Sequence, residues 1–226
     1  MSLSLNVKKK RSPVFKLSVF TFIFGVLAVA GLTGLNYLTG YGPNAIVSAL
    51  GLPSSAEVVE KAVTNIDKAS HSSSPSHPKL LSIPDLKVKD ARIFAVEQDG
   101  RGEVASPKNV FDVGWYKESA MAEDRGVMLL SAHSYGDTAA GVFSGIGLLK
   151  PNMEIEIING DNSRYTYSVK DVKKYHISDL EGKRASLLTQ AHPDSSVSVH
   201  LITSTGKWVP ALQKYDQRIV VRASQN

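Results

Sequence analysis

Val199-His-Leu-Ile-Thr-Ser-Thr-Gly206, followed shortly by Tyr215-Asp-Gln-Arg-Ile-Val-Val221, is the stretch on which the fold turns. β-Branched and apolar residues dominate both arms, so they read as two strands joined by a loop, the second opening on Arg218. Far upstream, Val127-Met-Leu-Leu-Ser-Ala-His133 is an apolar strand that delivers a histidine at its end. A histidine, a small nucleophile-sized residue and an arginine, all at strand ends, suggest acyl-transfer chemistry.

Working outward, short strand patterns separated by turn signals run from about Leu80 to the end. Residues 92–97 alternate and stop at Asp99-Gly100, a hairpin-type turn. Residues 126–131 form an unbroken apolar run, and residues 153–158 alternate cleanly. Gly160-Asp-Asn162 turns the chain into 165–169, which 172–177 extends; 197–203 and 219–223 complete the set. Seven to eight such strands predict a mainly β domain, a small closed or half-closed barrel. Helix is expected in two short pieces, around 138–149 and 180–190.

The chain has 226 residues and a formal net charge of +5. Lys8, Lys9, Lys10, Arg11 and Lys16 account for all of that excess, so the remainder is balanced and shows no nucleic-acid footprint. With no cysteine, disulfides and thiolate metal sites are excluded. Residues 17–38 are 22 positions without a charge, long enough to cross a bilayer as a helix. The basic cluster before them predicts a cytoplasmic N-terminus and an extracytoplasmic remainder. Ala28-Val-Ala30 leaves a cleaved signal peptide as the alternative, although the apolar run continues beyond it.

The expected organisation is a basic tail over 1–16, a membrane anchor over 17–38, a linker over 39–79 and the β domain over 80–226. Within the linker, residues 55–69 carry a helical rhythm, and Ser70 to Pro78 reads as a flexible spacer with His71 and His77 solvated.

Several segments, in order, carry a resemblance to a known family. They are Val110-Phe-Asp-Val-Gly-Trp-Tyr116, Ser131-Ala-His133, Gly141-Val-Phe143 with Leu149-Lys-Pro-Asn-Met153, Leu201-Ile-Thr-Ser-Thr-Gly206 and Arg218-Ile-Val-Val221. Together they resemble the sortases, membrane-anchored transpeptidases of the bacterial envelope, nearest class F or E, over residues 80–226. The resemblance implies an eight-stranded closed barrel acting as a monomer, without cofactor or metal. It implies a peptide sorting signal of LPxTG type as substrate, and an amine of the cell wall or of a pilin as acceptor.

The same resemblance assigns catalytic roles to His133, Ser204 and Arg218, with Thr203 and the loop residue His192 against the substrate. His133 would act as acid and then base, and Arg218 would hold substrate and oxyanion. Ser204 stands where the family places its nucleophilic cysteine, and a serine hydroxyl does not ionise at working pH. It needs a general base in hydrogen-bond reach, itself oriented by a third group. Asp137 is the nearest acid after His133. Three readings of Ser204 remain open: an inactivating substitution that leaves a peptide-binding domain; a slow serine acyl-transferase or hydrolase; or a wrong alignment of Ser204 to the cysteine slot. Beside the transpeptidase, the alternatives are a non-catalytic pseudo-sortase that binds sorting signals or an envelope partner, and a structural barrel of the envelope.

Overall fold

In a computed structural model, residues 60–99, 103–180, 186–191, 193 and 195–225 are described. Eight strands close a barrel: β1 (Pro78–Ile83), β2 (Val88–Val96), β3 (Val113–Tyr116), β4 (Gly126–Ser131), β5 (Glu154–Asn159), β6 (Arg164–His176), β7 (Val197–Val209) and β8 (Lys214–Ser224). Their order around the barrel is β1-β2-β3-β4-β7-β8-β6-β5. β2/β3 and β4/β7 pair in parallel, and the other neighbours are antiparallel.

Alternate residues of each strand fill the interior. Ile93, Met128, Leu130, Ile155, Ile157, Tyr167, Val199, Leu201 and Val221 form one core. β4 departs from alternation because both of its faces are covered. Met128 and Leu130 face the core, while Leu129 and Ser131 lie under the loops of the outer face. That explains an apolar run where a half-exposed strand would alternate.

The helix expected over 138–149 is not formed; a single 3-10 turn, Ile146–Leu148, stands there. The segment spends its amides on other partners: Val142 N–H donates to Val110 O, and Phe143 N–H to His133 O. Gly141 lies so close to the His133 carbonyl that a Cβ there would sit 2.2 Å from its oxygen. The second expected helix is reduced to α2 (Ser186–Thr189) among the described residues.

The linker also differs from expectation. Of residues 55–69, the described part is helical only in α1 (Asn65–Ser70), started by a Thr64/Asp67 capping box. Residues 70–77 are not a free spacer with solvated histidines. His71 Nε2–H donates to Ile93 O at 2.9 Å, with its ring 4.6 Å from Phe94, and the His77 ring lies 5.0 Å from Trp115. Both imidazoles cover apolar barrel surface, which their amphipathic rings suit. Residues 17–38 lie outside the described residues, and among those described no helix is long and apolar enough to cross a membrane.

Candidate active site

Three neighbouring strands bring the candidate residues to the outer face of the barrel. β7 runs on to Val209 and β8 starts at Lys214, so Ser204 and Arg218 lie inside paired strands rather than at strand ends as expected, and only His133 lies beyond the end of its strand. β4 and β7 run in parallel with Leu130 beside Leu201 and Ser131 beside Ile202. Continuing that register by two residues sets His133 beside Ser204. β8 then lies antiparallel to β7 with Arg218 directly opposite Ser204. Since Leu130, Leu201 and Val221 point into the core, Ser131, Ser204 and Arg218 take the opposite face by alternation.

The ladder between β4 and β7 stops at Ser131, yet the strand ends stay joined. Ala132 N–H donates to Ile202 O at 3.4 Å, and the buried Thr203 hydroxyl donates to Ala132 O at 2.8 Å. The Ser134 hydroxyl donates to Ser204 O at 2.9 Å. Two side-chain bonds thus replace the missing rungs on either side of His133. Thr203, expected to touch substrate, spends its hydroxyl on this splint.

His133 is half-buried, and its Nε2 lies 2.7 Å from Pro107 O. A carbonyl only accepts, so Nε2 carries the proton and Nδ1 keeps the lone pair. Burial lowers the imidazole's pKa below the ordinary 6.5, against the opposing pull of the Pro107 bond. The neutral, proton-accepting form therefore prevails at neutral pH. Asp137 does not hold the ring: among the described residues no carboxylate bonds His133, and none of its bonds reaches Ser204. Burial, with Glu60 beside it, raises the Asp137 carboxyl.

Arg218 is only 8% exposed. Its Nη1 donates to Tyr215 O at 2.9 Å and Gln217 O at 3.0 Å, and its Nη2 donates to Glu103 Oε2 at 2.5 Å. The other Glu103 oxygen takes Lys214 Nζ at 2.9 Å. Burial pushes the Glu103 carboxyl up, but the bonds from Lys214 and Arg218 outweigh it and hold the group below its usual value. Neither Glu103 nor Lys214 was expected from the sequence. Glu103 reaches the site where Val104 pairs with Gln98.

Thr203, Ser204 and Arg218 line a cleft of about 420 Å³; His133 flanks it without lining it. Glu103, Val104 and Ser106 form one wall, and Ile177, Leu180 and Leu188 the other. The buried His200 anchors the second wall, its Nδ1–H donating to Leu188 O at 2.9 Å. The expected loop contact His192 lies outside the described residues.

A family model described as "Sortase domain" matches residues 81–226, well over half of the chain. The chain belongs to the sortase family. Among solved structures, the protein is similar to sortase E1 from Streptomyces coelicolor, determined with a tripeptide in its active site. That pair shares 20% identity and a TM-score of 0.48, over 69% of this chain and 91% of the other. It is also similar to sortase C-1 from Streptococcus pneumoniae, at 17% identity and a TM-score of 0.48, over 76% and 77% of the two chains. SrtA sortase from Actinomyces oris gives 16% and 0.47, over 68% and 82%. No curated protein sequence matches the chain.

Sortases are transpeptidases, and this family member's cluster on three adjacent strands has parts suited to acyl transfer. An oriented neutral imidazole and a fixed guanidinium flank a hydroxyl at the rim of a partly apolar cleft. The hydroxyl and the imidazole are not hydrogen-bonded to each other among the described residues. The cluster therefore lacks a preassembled Ser–His dyad.

Proposed function

We propose that the protein is a membrane-anchored, extracytoplasmic sortase that takes LPxTG-like sorting-signal peptides in this cleft, with Ser204 at the family's cysteine position. The single observation that carries this reading is the register of three adjacent strands, which sets Arg218 of β8 opposite Ser204 of β7 and, continued two residues past β4, His133 beside Ser204. In a turnover the Ser204 hydroxyl would attack the peptide carbonyl, forming a C–O bond while its proton passes to His133 Nδ1. His133 would return that proton to the departing amine as the C–N bond breaks, leaving an acyl-enzyme. An envelope amine would then take the acyl group, with His133 again the base. Arg218 would stabilise the carbonyl oxygen as it gains charge.

Serine weakens the first step. A thiol titrates near pH 8.5 and a neighbouring guanidinium lowers it further, whereas a hydroxyl depends wholly on the base. Without a carboxylate behind His133, that base is weakly driven. The protein on this reading binds sorting signals and turns them over slowly at best. A pseudo-sortase that only holds peptides is the second reading, favoured by the missing Ser204–His133 bond.

The test compares the full chain with its Ser204→Cys variant in cleavage of a quenched LPxTG-type peptide library, with and without an amine acceptor. Cleavage by the Cys variant, lost with His133→Ala, supports the site. Cleavage by the Ser form as well makes it a serine acyl-transferase. Binding without turnover in either form moves the protein to the pseudo-sortase reading, and neither binding nor cleavage sinks the assignment.

A further inference from the structure

The short stretch Glu103-Val-Ala-Ser-Pro107 makes three contacts with the site, from alternate residues. Glu103 accepts from Arg218 Nη2 at 2.5 Å and from Lys214 Nζ at 2.9 Å. Ala105 O accepts the Ser131 hydroxyl at 2.6 Å. Pro107 O accepts His133 Nε2–H at 2.7 Å. One short segment thus reaches the β8 arginine through a side chain, and the β4 strand and the histidine beyond it through two carbonyls.

The segment is itself fixed. Asp99 N–H donates to Glu103 O at 2.7 Å, Glu103 N–H to Asp99 Oδ1 at 3.1 Å, and Ala105 N–H to Glu97 O at 3.0 Å. A carboxylate whose own main chain is tied by two backbone bonds and one bond to the Asp99 side chain is a built part of the cleft rather than a passing surface contact.

We propose that Glu103 is a positioning residue for Arg218, and that the 103–107 stretch sets the guanidinium and the imidazole on either side of Ser204 as one unit. The inference rests on the site described under the proposed function. Glu103 has two effects through Arg218. It fixes the fork in one orientation with Tyr215 O and Gln217 O, and it offsets part of the positive charge felt at position 204. The charged and titratable groups around position 204 are Arg218 and Lys214 on β8, Tyr116 on β3, Glu103, and His133 beyond β4.

The experiment uses the full chain in detergent with Ser204→Cys, and reads the rate of thiol alkylation by iodoacetamide against pH. Glu103→Gln in this background lowers the apparent thiol pKa by roughly half a unit to one unit, because the guanidinium is no longer offset. The same variant lowers kcat on the cleaved peptide more than it changes KM, since the oriented fork is lost. Glu103→Asp keeps the charge and restores part of both, which also serves if the Gln variant folds poorly. An unmoved thiol pKa in folded Glu103→Gln, while Arg218→Gln raises it, overturns the proposal and leaves the site standing. If Arg218→Gln leaves the thiol unmoved as well, the site assignment and the proposal fall together.

Discussion

Two arginine–carboxylate pairs on the same barrel differ in how they spend their donors. Arg92 sends Nε and Nη2 to the two oxygens of Asp112, at 2.9 and 2.8 Å, with Asp112 4% exposed. The pair is closed: it ties β2 to the turn before β3. Arg218 divides its donors among two carbonyls and one Glu103 oxygen, and the other Glu103 oxygen goes to Lys214. Among the described residues Arg218 keeps two of its five guanidinium N–H donors uncommitted, and it lines a cleft that Arg92 does not. A carboxylate with both oxygens on one arginine makes a staple. A guanidinium with spare donors at a cleft, opposite Ser204, is equipped to meet a ligand.

The sharpest way to break this contrast is Asp112→Ala. Stranding Arg92, whose side chain is 18% exposed, costs about 3 kcal/mol of folding stability. It leaves the alkylation profile of Cys in place of Ser204 unchanged. Arg218→Gln should do the reverse, moving the profile to higher pH with less loss of stability, because Lys214 still accompanies Glu103. Denaturant titration and alkylation on the same samples decide it. If Asp112→Ala shifts the profile as much as Arg218→Gln, the division into staple and site group fails.

A smaller effect concerns His133. Its pKa is lowered in the folded chain, so between that value and 6.5 the unfolded chain binds more protons. Folding stability attributable to His133 is therefore intact above about pH 7 and declines as pH falls through 6.5 toward the folded value. Melts from pH 7.5 to 5 should show a shallower loss for His133→Gln than for the parent. Equal slopes for His133→Gln and the parent would remove the argument that burial keeps the imidazole neutral.

Much of this was legible in the sequence, and the reason lies in the range of the interactions. The apolar run of β4 and the alternation of β5 and β6 around Gly160-Asp-Asn162 are local signals, and the strands stand where they were expected. β3 is four residues long with a glycine, too short to announce itself. The 138–149 segment has helix-compatible spacing, but its amides go to Val110 O and His133 O, which no local pattern reveals. The histidine, serine and arginine were readable from the strand patterns around them, although β7 and β8 extend past the bounds expected for them and enclose Ser204 and Arg218. Glu103 was not, since its pairing with Arg218 spans 115 residues and depends on how the barrel closes. The same holds for the Ser134 hydroxyl on Ser204 O, a contact across 70 residues.

The smallest expected effect concerns the segment ahead of the barrel. Glu60 accepts Thr138 N–H at 2.8 and 3.0 Å on its two oxygens, together with the Thr138 hydroxyl and, at 3.4 Å, Ala139 N–H. Burial works against the charge, but these donors prevail and lower the carboxyl's pKa. The group is largely solvated, so the clamp contributes no more than about 1 kcal/mol. Its place matters more than its size, because Thr138 and Ala139 belong to the loop that leaves His133 and returns through Gly141 N–H to Ser134 O. Glu60→Gln should raise hydrogen exchange at the Thr138 and Ala139 amides by about fivefold, with the amides of β7 unmoved. The imidazole itself is held by Pro107 O, from the other side of the cleft, so its pKa should stay where it is. A pKa that moved with Glu60 would make the clamp part of the site and extend the contrast between staple and site group to the segment before the barrel.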